Sequence, residues 1–258
     1  MVPTPEDARR LIAETCRDLD AAEVVSKRDF RLVVRARTTR GAPVIVKLWA
    51  RPGPRGALRR ILGQTAARYE FRNLRLMERL GVSAPLALVH GRAAPNAGGY
   101  TDAMAMEDLG DCETATQYLK RMIAAGDEAA VTRFEDEVIA MTGRLARGRV
   151  NDFDHSMVNL VVRDGSPVRL DLEKARRLPW IGLRRGLYAR MIGQLLGTYV
   201  FAVQPDTDRA ARFASRLFDE IRPSPAVAAG AQAHLDAMLR RQKDGIGMDV
   251  SLRLPQVA

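Results

Sequence analysis

Lysine is scarce in this chain. Of 41 lysines and arginines only Lys27, Lys47, Lys120, Lys174 and Lys243 are lysines. An arginine bias of this kind follows from genomic base composition, so a lysine kept against it in an unusual place carries information. Cysteine is scarcer still, and Cys16 and Cys112 alone exclude a disulfide framework and suit a reducing cytoplasm. The three histidines, His90, His155 and His234, have no metal-ligand spacing, which excludes a histidine-built metal centre. Aromatic residues make up 5% of the chain and no basic stripe interleaves with them, which argues against a nucleic-acid stacking platform. The longest uncharged run, residues 191–205, is too short and too polar to span a bilayer. The start, MVPTPEDARR, carries acids early and has no apolar core, so no signal peptide is expected.

What is present is a 258-residue chain, 47% hydrophobic and 28% charged, long enough to bury a full core as one domain or two lobes. The net charge is +10 and the isoelectric point about 10.3. Such a surface favours an anionic partner: nucleotide, nucleic acid, acidic glycolipid or membrane. Charge alone does not choose among them.

Residues 4–18 read as a short amphipathic helix. Residues 23–26, 30–37 and 43–49 read as antiparallel strands, and the third, VIVKLW, places Lys47 inside an apolar run. A lysine there costs several kcal/mol unless an anion meets it. Residues 65–80 have helical spacing, and Ala67, Glu70, Phe71, Leu74 and Met77 share one face. Glu70 is the odd carboxylate on that face and Lys47 its expected mate. Gly81 ends the helix, a strand-like run starts at Pro85, and residues 103–106 form a short buried strand leading into Glu107-Asp108-Leu109-Gly110. Helices are expected at about 114–124, 129–147, 183–202, 207–221 and 225–242, with a single hairpin among them and a loosely held tail from 243. The expected fold is therefore α+β: a small antiparallel lobe (1–105) with the Glu70 helix, a hinge (106–111), a helical lobe (112–242) and the tail (243–258).

That hairpin lies in the stretch NDFDHSMVNLVVRDGSPVRLDLEKAR, residues 151–176. Asp164-Gly165 between two apolar runs is a hairpin turn signal. Antiparallel pairing then brings Asn159, at the start of the first strand, and Asp171, at the end of the second, to one end, with Asp154 on the loop just before. An amide oxygen and a carboxylate converging in this way make a partial hard-oxygen site of the kind Mg²⁺ prefers, completed by phosphates and water. Asp154 could accept a proton or orient a hydroxyl.

Taken together, VIVKLW, RYEFRNLRLMERLGVSAP, AMEDLG, DFDHSMVNLVV and RLDLEKAR resemble the eukaryotic-type protein-kinase fold, and within it the lipopolysaccharide-core (Kdo and heptose) kinase family. The resemblance spans about residues 23–180. It implies ATP and Mg²⁺ as cofactors, with Lys47 on the α and β phosphates and Glu70 holding it. It implies Asp154 as the catalytic carboxylate, and Asn159 and Asp171 as the metal ligands. Met106 would sit beside the adenine, the Glu107 carbonyl and Leu109 amide would bond it, and Ile45 and Val161 would pack above and below. The implied acceptor is a hydroxyl of a lipopolysaccharide-core sugar or similar glycan, reached from the cytoplasm, with the protein peripheral at the inner face of the membrane.

Departures from the protein-kinase pattern are visible. No G-x-G-x-x-G lies between the first strands, only Ser26-Lys27-Arg28-Asp29, so charge from Lys27 and Arg28 would have to replace the amides of a glycine loop. Asp152-Phe153-Asp154 stands for H-R-D and Asp171-Leu172-Glu173 for D-F-G. The chain runs quickly from Lys174 into the next helix without an A-P-E segment, which favours a small or glycan acceptor over a peptide. Two basic stretches could face an anionic acceptor or the inner leaflet: Arg51, Arg55, Arg59 and Arg60, with a short amphipathic anchor conceivable near Leu58 to Leu62, then Arg176, Arg177, Arg184 and Arg185. A Ser/Thr protein kinase, another small-molecule kinase and a non-catalytic pseudokinase or adaptor stand as alternatives, because fold does not decide acceptor.

Overall fold

The computed structural model describes residues 5–17, 23–28, 30–38, 41–50, 53–93, 99–178, 185–246 and 252–256. Asp29, Arg51, Arg184 and residues 247–251 of the expected tail lie outside them, as do the side chains of Arg55 and Cys16, while residues 243–246 continue the last helix. The chain divides into two compact units. The first is Met1–Arg79 with Ala84–Asp111, and the second is Leu80–Ser83 with Cys112–Ala258.

The first unit is built on a five-stranded antiparallel sheet in the order β1-β2-β3-β5-β4. Its strands are β1 (Glu23–Arg28), β2 (Arg31–Arg37), β3 (Pro43–Trp49), β4 (Ala87–Arg92) and β5 (Asp102–Glu107). Valine and isoleucine dominate β2 and β3, where branched side chains suit a pleated, half-buried surface. Strand alternation sends Val44, Val46 and Leu48 to one face, where Leu11 and Ile12 of α1 (Pro5–Arg17) close a core with Leu32, Val34, Leu88, Val89, Ala103 and Ala105. Ile45 and Lys47 therefore point to the opposite face, the one that α3 (Ala66–Leu80) reaches with Glu70. Lys27 and Arg28 belong to β1, pairing with Leu32 and Arg31, where a turn was expected. Between β3 and α3 the expected linker instead contains α2 (Pro54–Ile61).

The second unit is mainly helical: α4 (Ala115–Ala124), α5 (Glu128–Arg147), α6 (Arg185–Val203), α7 (Thr207–Ile221) and α8 (Pro225–Ile246). Their starts are written locally. Thr114 and Gln117 form a reciprocal capping box on α4, and the Asp127 and Asp206 side chains accept N–H bonds from Ala130 and Arg209. α6 is apolar around its whole circumference and is accordingly buried, with Met191, Ile192, Leu195, Leu196, Tyr199 and Val200 all in the core. Gly193 lets it lie close against α8, because a Cβ there would stand 2.8 Å from the Ala231 carbonyl.

The hairpin is β8 (Leu160–Arg163) and β9 (Ser166–Arg169), joined by Asp164 and Gly165, both left-handed at φ 52° and 80°. That is the two-residue turn whose twist matches the strands. Pro167 falls inside β9, which is permitted because β9 is an outer strand. The hairpin is not alone, as had been expected. β6 (Glu113–Thr114) adds a third strand beside β8, and β7 (Val150–Asn151) pairs with β10 (Arg176–Arg177).

Candidate functional site

In the first unit, Lys47 Nζ lies 2.6 Å from Glu70 Oε1, with the two side chains 5% and 1% exposed. Two odd charges, one on an apolar strand and one on an apolar helix face, have thus found each other. Ile45 pairs with Met106 and Lys47 with Met104 across β3 and β5, so Ile45, Lys47 and Met106 share one sheet face. Glu107 closes β5, and its side chain turns away to accept the Leu86 N–H at 3.2 Å. Leu109 follows in the irregular segment 108–110. Arg35 is bound there by Asp108 at 2.7 Å, and also by Asp111 and Glu23.

In the second unit the loop of residues 150–159 is clamped from several sides. Asn151 Nδ2 donates to the Leu187 carbonyl of α6 at 2.7 Å, and the Met157 N–H donates to Thr198 Oγ1 at 3.0 Å. His155 is fully buried, with Nε2 2.9 Å from Thr142 Oγ1 on α5. The Thr142 hydroxyl already donates its proton to the Val138 carbonyl, so His155 Nε2 carries the hydrogen of this bond. Burial, with the nearby Arg169 charge, holds His155 down to about 3, so the ring is neutral. It shapes the loop from beneath and does not face an acceptor.

The organiser of this loop is Arg169, which the sequence reading passed over. Its guanidinium is forked onto Asp152, Nε at 2.8 Å and Nη2 closer still, and neither side chain has any exposed surface. Nη1 donates to the Asn159 carbonyl at 2.8 Å and the Leu170 carbonyl at 2.5 Å, and Nη2 to the Asp154 carbonyl at 2.8 Å. One side chain therefore ties together the backbone at Asp154, Asn159 and Leu170. Asp152 Oδ1 also accepts the Asp154 N–H at 3.2 Å. The departure from H-R-D thus has a structural role: Asp152 answers Arg169. The signal was present in the sequence as a charge between Val168 and Leu170, the same kind of signal that marked Lys47.

Within this frame Asn159 Nδ2 donates to the Asp154 carbonyl at 2.9 Å, which leaves Oδ1 as the acceptor end of the amide. Leu160 pairs with Arg169, and the Leu170 N–H bonds the Asn159 carbonyl at 3.0 Å, so Asn159 and Asp171 stand at the same end of the hairpin. Asp171 is left-handed, φ 55° and ψ 59°, an unusual conformation for a residue other than glycine, and it precedes the 3₁₀ turn Leu172–Lys174. An amide oxygen and a carboxylate fit a cation that takes most of its octahedron from water and phosphates, which is the habit of Mg²⁺. Among the described residues no cluster of three or more His, Cys, Asp and Glu side chains forms a closed protein cage.

Lys174, also missed, extends from that 3₁₀ turn to place Nζ 2.9 Å from Asp154 Oδ2. Both groups are accessible, at 63% and 36% of the side chain. Arg176 folds back onto the Glu173 and Ala175 carbonyls and so pins the same turn, while the residue stays exposed. Val161, in β8, is buried opposite Val168.

Two outcomes follow from the frame. Arg169→Ala leaves Asp152 buried and unpaired and should cost roughly 3–5 kcal/mol, read from denaturant unfolding. For His155, the folded value lies below the unfolded one, so nothing is lost above pH 6.5. As pH falls from there toward 3 the unfolded chain takes up a proton that the folded ring refuses. This residue should therefore account for a loss of about 2 kcal/mol between pH 7 and pH 5, and His155→Gln should flatten the pH dependence of unfolding by that amount.

No family model and no curated protein matches the chain. Solved structures do. WaaP in complex with acyl carrier protein aligns over 89% of this chain and 91% of its own, with a TM-score of 0.62 at 15% identity. The Rio2 kinase–ADP/Mg²⁺–phosphoaspartate complex from Chaetomium thermophilum aligns over 90% and 74%, with a TM-score of 0.49 at 16% identity. By its likeness to the WaaP structure, the resemblance read from the sequence holds at the level of architecture, and the chain has a protein-kinase-like fold.

Proposed function

We propose that this protein is an ATP- and Mg²⁺-dependent phosphotransferase whose acceptor is a hydroxyl of a lipopolysaccharide-core sugar or a similar anionic glycan. It would work at the cytoplasmic face of a membrane. The observation that carries this reading is the Arg169 frame, which holds Asp154 and Asn159 in one fixed arrangement beside Asp171. Buried charge spent on positioning three oxygen-bearing side chains fits phosphoryl transfer, where positioning and charge neutralisation supply most of the catalysis.

In this reading Lys47, held by Glu70, binds the α and β phosphates, with Ile45, Met106, Glu107, Leu109 and Val161 around the base. Asn159 Oδ1 and Asp171 hold Mg²⁺, which neutralises phosphate charge when bound. Asp154 orients the acceptor hydroxyl and takes its proton. The acceptor oxygen bonds to the γ-phosphorus, the bond from that phosphorus to the bridging oxygen breaks, and ADP leaves with the bridging electrons. Lys174 sets the Asp154 carboxylate toward the acceptor and places an ammonium beside the moving phosphoryl group.

The acceptor assignment rests on the short course after Asp171. Its described part, residues 172–178, holds a 3₁₀ turn and a two-residue strand, and α6 begins at Arg185. The net charge of +10 suits an anionic glycan and a membrane surface. A protein partner belongs to the same reading, on the strength of the complex that WaaP forms with acyl carrier protein.

Saturating ATP with Mg²⁺, at about a hundred times its Kd, should stabilise the fold by roughly 2.7 kcal/mol, or roughly 5 to 10 °C for a chain of this size. The shift should need Mg²⁺ and vanish in Asp171→Ala. In Asp154→Ala the shift should persist while transfer of labelled phosphate to core oligosaccharide is lost. No shift in the wild-type protein would overturn the reading, and labelling of protein in place of glycan would overturn the acceptor. Lys174→Ala should lower kcat roughly a hundredfold with little change in KM for ATP and an unaltered Mg²⁺-dependent thermal shift, and Lys174→Arg should recover part of the rate.

A further inference from the structure

Residues 30–69 contain no aspartate or glutamate, and the part from 50 to 69 carries Arg51, Arg55, Arg59, Arg60 and Arg68. In the middle of it lies α2, which starts at Gly53-Pro54, with proline in the first turn where its missing N–H costs nothing. It ends in a glycine-terminated turn: the Gly63 N–H bonds the Arg60 carbonyl and the Gln64 N–H the Arg59 carbonyl, with Gly63 left-handed at φ 64°. Local caps therefore define both ends of an eight-residue helix.

Its apolar side is the anomaly. Leu58, Ile61 and Leu62 fall on one face at the i, i+3, i+4 spacing, and they are 57%, 80% and 57% exposed. Single exposed hydrophobic residues are ordinary; three on one short helix, with Arg59 exposed beside them, are a patterned surface. A helix this short has little stability of its own in water. In most globular helices such a stripe meets the core, and here none of the three belongs to the core that α1 closes on the sheet.

We infer that α2 is an interfacial docking helix for an anionic lipid bilayer: Leu58, Ile61 and Leu62 enter the headgroup and acyl boundary, and Arg59, exposed beside them, lies against acidic headgroups. The charge decides the occupant. Twenty residues with five arginines and no acid repel a second copy of themselves and match a negatively charged surface. The helix has the composition of an in-plane anchor, apolar on one side and arginine-rich at the flank. One short helix binds weakly and reversibly. This deepens the membrane part of the reading above and is independent of its chemistry.

The test is flotation of the full chain with vesicles of phosphatidylcholine alone or of equal phosphatidylglycerol and phosphatidylcholine, without nucleotide. Binding is expected on the mixed vesicles only and should fall as salt rises. Ile61→Asp should weaken it about tenfold or more and Arg59→Glu about thirtyfold. Both variants should melt at the wild-type temperature, since both side chains stand in solvent. Absence of vesicle binding, equal binding to neutral vesicles, or wild-type binding by Ile61→Asp would each overturn the proposal. Self-association that is lost in Ile61→Asp, without vesicle binding, would assign the face to a second copy. Because no nucleotide is present, any of these results leaves the phosphotransferase reading to its own thermal-shift test.

Discussion

A guanidinium with no exposed surface, forked onto a carboxylate with none, holds the second unit's site together. Arg169 reaches Asp152 with its side chain and the carbonyls of Asp154, Asn159 and Leu170 with its remaining N–H groups. Arginine suits this position because its planar fork offers five donors in fixed directions, where a lysine would offer a point charge. The carbonyls it binds belong to segments that precede and follow the hairpin. If the fork is removed, the loop and the hairpin end lose the one buried group that gathers the Asp154, Asn159 and Leu170 carbonyls at a single point.

Such pairs do not exist to stabilise the protein. Taking two ions out of water costs several kcal/mol each, and a well-packed apolar pair is often as stable or more so. Yet the chain buries such pairs in both units, among them Arg169–Asp152 in one and Lys47–Glu70 in the other. What an ion pair gives that an apolar pair cannot is direction: each fixes where a particular oxygen or nitrogen points. Around Arg169 the fixing groups are buried, while Asp154 and Lys174 are partly open to solvent. A rigid, dry frame carrying accessible working groups is the arrangement that positioned chemistry requires.

The neutral His155 serves the same end. An imidazole with one hydrogen bond, to Thr142, and a buried Nδ1 with no partner among the described residues fills space under the loop without adding a charge next to Arg169. It makes the fold sensitive to acid, and the loop keeps its shape over the range in which the ring stays neutral. Charge at this site is thus confined to where it orients something.

Much of the fold was legible because periodicity is local. The alternation in Val44–Trp49, the helical face of residues 66–80 and the Asp164-Gly165 turn each follow from neighbouring residues, and the Lys47–Glu70 pair could be read because both charges interrupt apolar patterns. Arg169 interrupts a pattern too, but its partner lies seventeen residues away in a loop without periodicity. The two-residue strands at Glu113–Thr114, Val150–Asn151 and Arg176–Arg177 carry no pattern, since so short a strand exists only through the partner it pairs with. α2 was legible only in part: residues 58–62 read as a short amphipathic anchor inside a basic linker, and its apolar stripe answers to no core that would have marked a full helix. The sequence by itself determined the longer strands and helices, the hairpin end that gathers Asn159 and Asp171, and the two odd charges that had to meet. Only the tertiary structure decided which buried charge binds which carbonyl and which lysine reaches Asp154, because those choices depend on backbone groups brought together from distant parts of the chain.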